Sequence, residues 1–284
     1  MRKIVQTEFE SRYFDLFGEC LLKSFMTYNP DWSFHVLDFG LTTKQRAVVE
    51  RFGTLEPATM EVGNRWSTIK ARVRAVDRLL DDADVVMHID GDVLVTGVLE
   101  DAVDLLHDSG CHAGYMPTWM RFYQHVRNRK VLESLVPAAQ IAEIGDRSTL
   151  AGSFFVVEPC DDMQRVFRFV IDNWDKLRAT LYTEESAMLC GHVVCGVPYV
   201  SLDWCYNWPV DRSDYFDKMY VVPADVPIAP DTADPLRSVH FSNVKWESQN
   251  VAGPGFMAWH AWNRIMQTYK DIPWERFEES CRSS

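Results

Sequence analysis

An α/β fold, a three-layer sandwich around a mostly parallel central sheet, is predicted by three features of the 284-residue chain. Apolar strand-like runs alternate with helix-period segments over the first hundred residues, the pattern of parallel βαβ units. The fourth such run, "VVMHIDGDVLV" at 85–95, ends with Asp90 and Asp92 aimed out of an apolar strand. Ligands of such sheets gather at the carboxyl ends of the strands. The length also suits one large domain.

The elements follow in order. "KIVQTEF" reads as a first strand, and "YFDLFGECLLKSFMTYNP" as a helix that stops at Asn29-Pro30. "SFHVLDFG" is a second strand. "TTKQRAVVERFG" is a helix with a Thr cap and Gly53 at its end. A short strand "TLEPATMEV" precedes "STIKARVRAVDRLLDDAD", an Arg-rich helix with Leu79 and Leu80 facing inward. Past Gly97 the pattern is mixed: "CHAGYMP" and "AGSFFVVEP" read as strands, "MQRVFRFVIDNWDKL" and "EESAMLCGHVV" as helices. The stretch between Trp119 and Leu150 is polar and helix-compatible, 198–250 has little periodicity, and "PGFMAWHAWNRIMQTYKDI" is an aromatic helix. The predicted division is a single domain over 1–284, with halves at 1–97 and 98–250 and a C-terminal helix in 251–284.

A composition of 47% hydrophobic and 25% charged residues is that of a soluble globular protein. No apolar run is long enough to cross a bilayer and "MRKIVQTEFE" lacks a secretory signal, so no transmembrane segment is expected. Seven scattered cysteines point to reduced thiols and a cytoplasmic location. A net charge of −12 argues against nucleic acid as a partner. It leaves room for a phosphate-bearing ligand, because a metal inverts the sign inside one cleft.

Two acids spaced by one residue repel each other near a core unless a cation holds them, and a divalent ion neutralises both. A strand ending in a polar Asp-Gly turn accounts for the same residues. The segment by itself leaves both readings open.

The order of several blocks decides further. "FHVLDFGLTTKQR" (34–46), "ARVRAVDRLL" (71–80), "MHIDGDVLV" (87–95), "LAGSFFVVEP", "TEESAML", "DWCYNWP" and "VHFSNVKW" resemble, in sequence order, the retaining glycosyltransferases of the A-type fold. The resemblance is to the bacterial galactosyl- and glucosyltransferase group that includes glycogenin-like enzymes (family eight). It implies a nucleotide-sugar donor, by the family's habit a UDP-hexose, and transfer with retention to a glycan, lipid-linked or small-molecule acceptor. It implies Mn²⁺ (or Mg²⁺) held by Asp90, Asp92 and His240, with Lys245 on the diphosphate and Arg74 reaching the donor. Gly91 lies between the two metal-holding acids. Glu184 and Glu185 fall where the family places an Asp-Gln pair beside the anomeric carbon. The base-binding segment "QTEFESRY" lacks the family's Asp-Asp pair, and Thr7, Glu8 and Tyr13 are the stand-ins.

The chain departs from the family elsewhere too. "HFSNVKW" has Asn243 in place of Gly, one residue fewer and no Pro, and Leu150 stands where the family has the Asn of a sugar contact. Two other functions fit parts of the sequence. A haloacid-dehalogenase-like phosphatase would use Asp90 as nucleophile and Asp92 as acid, with Asp161-Asp162 as its late acidic pair. A non-catalytic nucleotide-sugar binder would share the blocks without turnover. Cys190, His192, Cys195 and Cys205 form a loosely spaced zinc candidate. The aromatic residues Phe256, Trp259, Trp262, Met266 and Tyr269 read first as core packing. A homo-oligomer is compatible with all of these.

Overall fold

The structure is a computed structural model that describes residues 1–59, 66–121, 126–136, 138–145, 147–180, 183–209, 220–221, 227–228, 236–240 and 266–282. Its first half is a regular alternation. Strand β1 (Lys3–Phe9) leads to a short helix α1 (Ser11–Tyr13), a π-helical turn (Phe14–Gly18) and helix α2 (Glu19–Tyr28). Then come β2 (Ser33–Asp38), α3 (Thr43–Val49), β3 (Gly53–Pro57), α4 (Trp66–Leu79), β4 (Val85–Ile89) and a short β5 (Val93–Val95). The second half holds α5 (Glu100–Ser109), β6 (Ala113–Arg121), α6 (Val126–Glu133), α7 (Ala138–Gly145) and β7 (Ser148–Val157). After these follow α8 (Asp161–Asp172), α9 (Trp174–Leu177), α10 (Thr183–Cys195) and β8 (Val200–Ser201).

Seven strands form the central sheet in the order β3-β2-β1-β4-β7-β6-β8. All neighbours are parallel except around β7, which runs against both β4 and β6. A hydrophobic cluster lies on each face, and period two assigns the residues. Val85, Met87 and Ile89 of β4 join Phe25 of α2 and Leu106 of α5 on one side. Val86 joins Val73 of α4, Phe167 of α8 and Leu189 of α10 on the other. This is the expected three-layer arrangement.

Two boundaries differ from the sequence reading. α3 ends at Val49, and Gly53 opens β3. A Cβ at Gly53 would lie 1.9 Å from the Phe34 carbonyl oxygen, so the glycine permits β3 to pair with β2. The single helix read over 13–30 is broken by the π turn, where Gly18 presses on Phe14. Such turns are frequent at functional sites, and this one follows directly on Tyr13.

Three short strands, β9 (Trp208–Pro209), β10 (Tyr220–Val221) and β11 (Pro227–Ile228), precede β12 (Ser238–His240). β5, β12 and β9 make a second, small sheet. Met266 is buried, and Tyr269 packs against the same cluster as α2, as the core-packing reading of the late aromatic segment expects. Phe256, Trp259 and Trp262 lie outside the described residues. The final helix, α11 (Trp274–Arg282), docks through Trp274 and Phe277 on Phe52. Fully buried Lys23 of α2 ties this segment down, donating to the carbonyls of Tyr269 (2.9 Å) and Ile272 (2.6 Å) and to Glu19 (2.7 Å). Among the described residues no helix is long and apolar enough to cross a membrane.

Candidate active site

β1 and β4 run side by side in register, Ile4 opposite Val86 and Gln6 opposite His88. Their next residues on the same face, Glu8 and Asp90, therefore leave the sheet together at its carboxyl end. α4 lies over this face. Its inward stripe, Ile69, Arg72, Val73, Val76 and Leu80, follows helical spacing and puts one guanidinium among the acids. Arg72 is buried. It pairs with Glu8, with Asp90 Oδ1 (2.8 Å) and with both oxygens of Glu184 (2.9 and 2.7 Å). Its Nη1 also donates to the Gly152 carbonyl (3.2 Å).

β7 bulges here: its register against β6 shifts between the Tyr115–Phe155 and Pro117–Leu150 pairs. The Asp90 amide donates to the Ser153 carbonyl (3.0 Å), one step further in the unbroken β4–β7 register. A Cβ at Gly152 would lie 2.6 Å from Glu184 Cδ, so a side chain there would displace the Glu184 carboxylate.

After Gly91 the chain turns into β5, and the small sheet supplies the third ligand candidate. His240 of β12 pairs with Val93, next to Asp92. Its Nε2 lies 3.1 Å from Asp92 Oδ1 and 3.6 Å from Asp90 Oδ2. One ligand atom each from Asp90, Asp92 and His240 falls within a 4.8 Å spread. Two carboxylates and an imidazole converging this closely fit a divalent cation. Glu8, His88 and Asp90 form a second such group, but Arg72 already pairs with two of its members.

These residues open onto a cleft of about 210 Å³, lined by Glu8, Phe9, Tyr13, Thr68, Arg72 and Asp92 among others. Burial works against ionised Asp90, yet the Arg72 guanidinium and the His88 hydrogen bond outweigh it and hold its pKa well below the usual carboxylate range. Burial, then the charge and hydrogen bond of Asp92, push the Tyr13 hydroxyl far up. Burial also raises Glu184 to about 8, against the pull of Arg72. Glu185 rises to about 8 through burial and the neighbouring Glu184.

The sequence-derived candidates divide on this geometry. Glu8, Tyr13, Asp90, Gly91 and Asp92 line the cleft, and His240 meets the aspartates. Thr7 does not reach it: it is wholly buried on the opposite face of β1, between Val5 and Phe9. Arg74 is exposed, about 200° around α4 from Arg72, and it is Arg72 that meets the acids of the cleft. Glu184 is engaged by Arg72, while one buried oxygen of Glu185 has no hydrogen-bond partner among the described residues. Lys245 lies outside the described residues.

The other readings fare differently. Asp161 and Asp162 begin α8, beyond Val157, which pairs with Val86 at the opposite end of β4 from Asp90. That separation removes the phosphatase assignment. The zinc candidate also dissolves: His192 is bonded to the Val197 carbonyl (3.0 Å) and Tyr115 (3.2 Å). No cysteine joins a converging group among the described residues.

No protein-family model and no curated protein matches the chain. Solved structures do. An active-site variant of LgtC aligns with TM-score 0.63 at 17% identity over 96% of this chain and 98% of that one. The galactosyltransferase LgtC in complex with donor and acceptor sugar analogs aligns with TM-score 0.61 at 16% identity, with the same coverage. The glycosyltransferase GlyE of Streptococcus pneumoniae TIGR4 aligns with TM-score 0.58 at 14% identity, over 100% of this chain and 64% of that one. The fold is the A-type fold of these glycosyltransferases.

Proposed function

We propose, from this shared fold, that the chain is a metal-dependent glycosyltransferase acting as one domain over residues 1–284. It moves a hexose from a nucleotide-diphosphate donor, with UDP as the base carrier, to a glycan, lipid-linked or small-molecule acceptor with retention. The observation that carries the reading is the convergence of Asp90, Asp92 and His240 at the carboxyl end of the central strands. A Mn²⁺ or Mg²⁺ ion held by these three would supply Lewis-acid stabilisation to the departing diphosphate. Tyr13 and Glu8 form the cleft wall suited to the base and ribose.

Arg72 keeps Asp90 ionised and so ready to serve as a ligand. Both oxygens of Glu184 are committed to Arg72, which makes it a positioning group for the sugar side of the cleft. Glu185, with an oxygen left unbonded, is the carboxylate suited to face the anomeric carbon. In that place its ionised form, favoured above about pH 8, stabilises positive charge developing on the sugar.

Thermal unfolding against a panel of nucleoside diphosphates and nucleotide sugars, each with Mn²⁺ or EDTA, tests the donor site, since a ligand of the native state must raise Tm. The expected result is a Mn²⁺-dependent rise with UDP or a UDP-hexose that disappears in Asp92→Ala. A panel with no shift at all overturns the transferase reading. Binding without release of sugar, with or without acceptors, would identify a non-catalytic binder.

A further inference from the structure

His88 is fully buried, two residues before Asp90 on the same face of β4. Its Nδ1 lies 2.6 Å from Gln6 Oε1 and its Nε2 lies 3.1 Å from Asp90 Oδ1. The ring is also packed against Phe155, centroid to centroid 5.0 Å at 32°. Its plane is thus fixed from three sides. Nε2 faces a carboxylate oxygen, which accepts, so Nε2 donates in that bond.

We propose that His88 is a positioning residue that divides the two oxygens of Asp90. Oδ1 is turned inward to His88 and Arg72, and Oδ2 alone is left to a cation shared with Asp92 and His240. The inference rests on the metal centre proposed above. A carboxylate without such partners turns about its terminal torsion and presents either oxygen, or both. Two donors on Oδ1 remove that freedom and leave Oδ2 on the side of His240. Arg72 divides its donors among Glu8, Asp90 and Glu184, whereas the Nε2 of His88 serves Asp90. His88 sits on the strand itself, with its ring packed against Phe155. Partners behind a ligating group typically carry a tenfold to hundredfold share of metal affinity.

The test is Mn²⁺ binding, read from the free-ion electron paramagnetic resonance signal in the presence of UDP, for wild type, His88→Gln, His88→Asn and His88→Phe. Glutamine carries an amide nitrogen close to the place of Nε2, whereas asparagine carries one close to Nδ1. His88→Gln is expected to stay within about threefold of wild type, and His88→Asn and His88→Phe to bind about 10- to 100-fold more weakly. A merely structural role would not separate Gln from Asn, so the pair decides even where the Phe variant fails to fold. Asn and Phe variants that bind like wild type, or three variants weakened alike, overturn the assignment. A wild type that binds no Mn²⁺ overturns the metal centre itself, and the positioning role falls with it; the wild-type trace alone reports that outcome.

Discussion

A guanidinium that faces Glu8, Asp90 and Glu184 together holds three carboxylates that would otherwise repel one another away from water. Removing one partner of a buried ionic cluster leaves uncompensated charge, at a cost of about 3–5 kcal/mol. Arg72→Met is therefore expected to lower the unfolding free energy by that amount in urea titrations with EDTA, whereas Arg74→Met changes it by less than about 0.5 kcal/mol. Equal effects would show that Arg72 is not the residue that compensates the site. A second expectation concerns Glu185. Its folded pKa of about 8 stands above its ordinary 4.5, so between those values the folded chain keeps a proton that the unfolded chain has lost. Its contribution to stability is fully present below the lower value and drains away as pH rises to the upper one. Glu185→Gln, neutral throughout, should gain on wild type in metal-free urea titrations as pH rises from about 5 to about 8. Parallel pH curves would contradict this. The aspartates were legible in the sequence because they close an apolar run, and Arg72 was legible in principle. It lies three residues after Ile69 and four before Val76, on the buried stripe, whereas Arg74 falls off it. Helical phase by itself puts Arg72, and not Arg74, among the acids of the cleft.

At the scale of elements, the turn from β4 into β5 leaves no room for a side chain. A Cβ at Gly91 would stand 2.8 Å from Phe9 Cε1 and 2.9 Å from the Glu8 carbonyl oxygen. The ring can yield, but the strand backbone cannot. Gly91→Ala should cost about 1–3 kcal/mol, as overpacking does. It should also abolish the Mn²⁺-dependent rise in Tm, because Asp90 and Asp92 flank the displaced residue. Retention of the full rise would show that the turn tolerates a methyl group. A milder case is α3, where Thr42 and Gln45 form a reciprocal capping box. Thr42→Ala is expected to lower stability by about 1 kcal/mol without touching nucleotide binding, measured on the same urea and thermal curves. The βαβ alternation was readable because each of its strands and helices is long enough to show a period. The small sheet was not. β12 spans Ser238–His240 and β9 only Trp208–Pro209, too short for alternation to register, and their partners are distant in sequence. His240 was reached through its resemblance to a known block, and the pairing with Val93 that delivers it is visible only in the folded chain.

Over the whole molecule, the late segment is held by the second helix. Lys23→Met would remove the donor to Tyr269 and Ile272 and leave those carbonyls without it. Amide exchange over residues 266–282 should then accelerate, with protection of β1 and β4 unchanged. Uniform acceleration would mean that the tether supports the whole fold. The same tether orders events during synthesis. Tyr269 follows Lys23 by 246 residues, and at roughly 5–20 residues per second α2 is made about 12–50 s before its partner emerges. Throughout that interval an ammonium destined for a fully buried place, and the apolar surface around it, stay uncovered on the ribosome. Until that segment arrives, the nascent N-terminal half exposes apolar surface of the kind that chaperones cover.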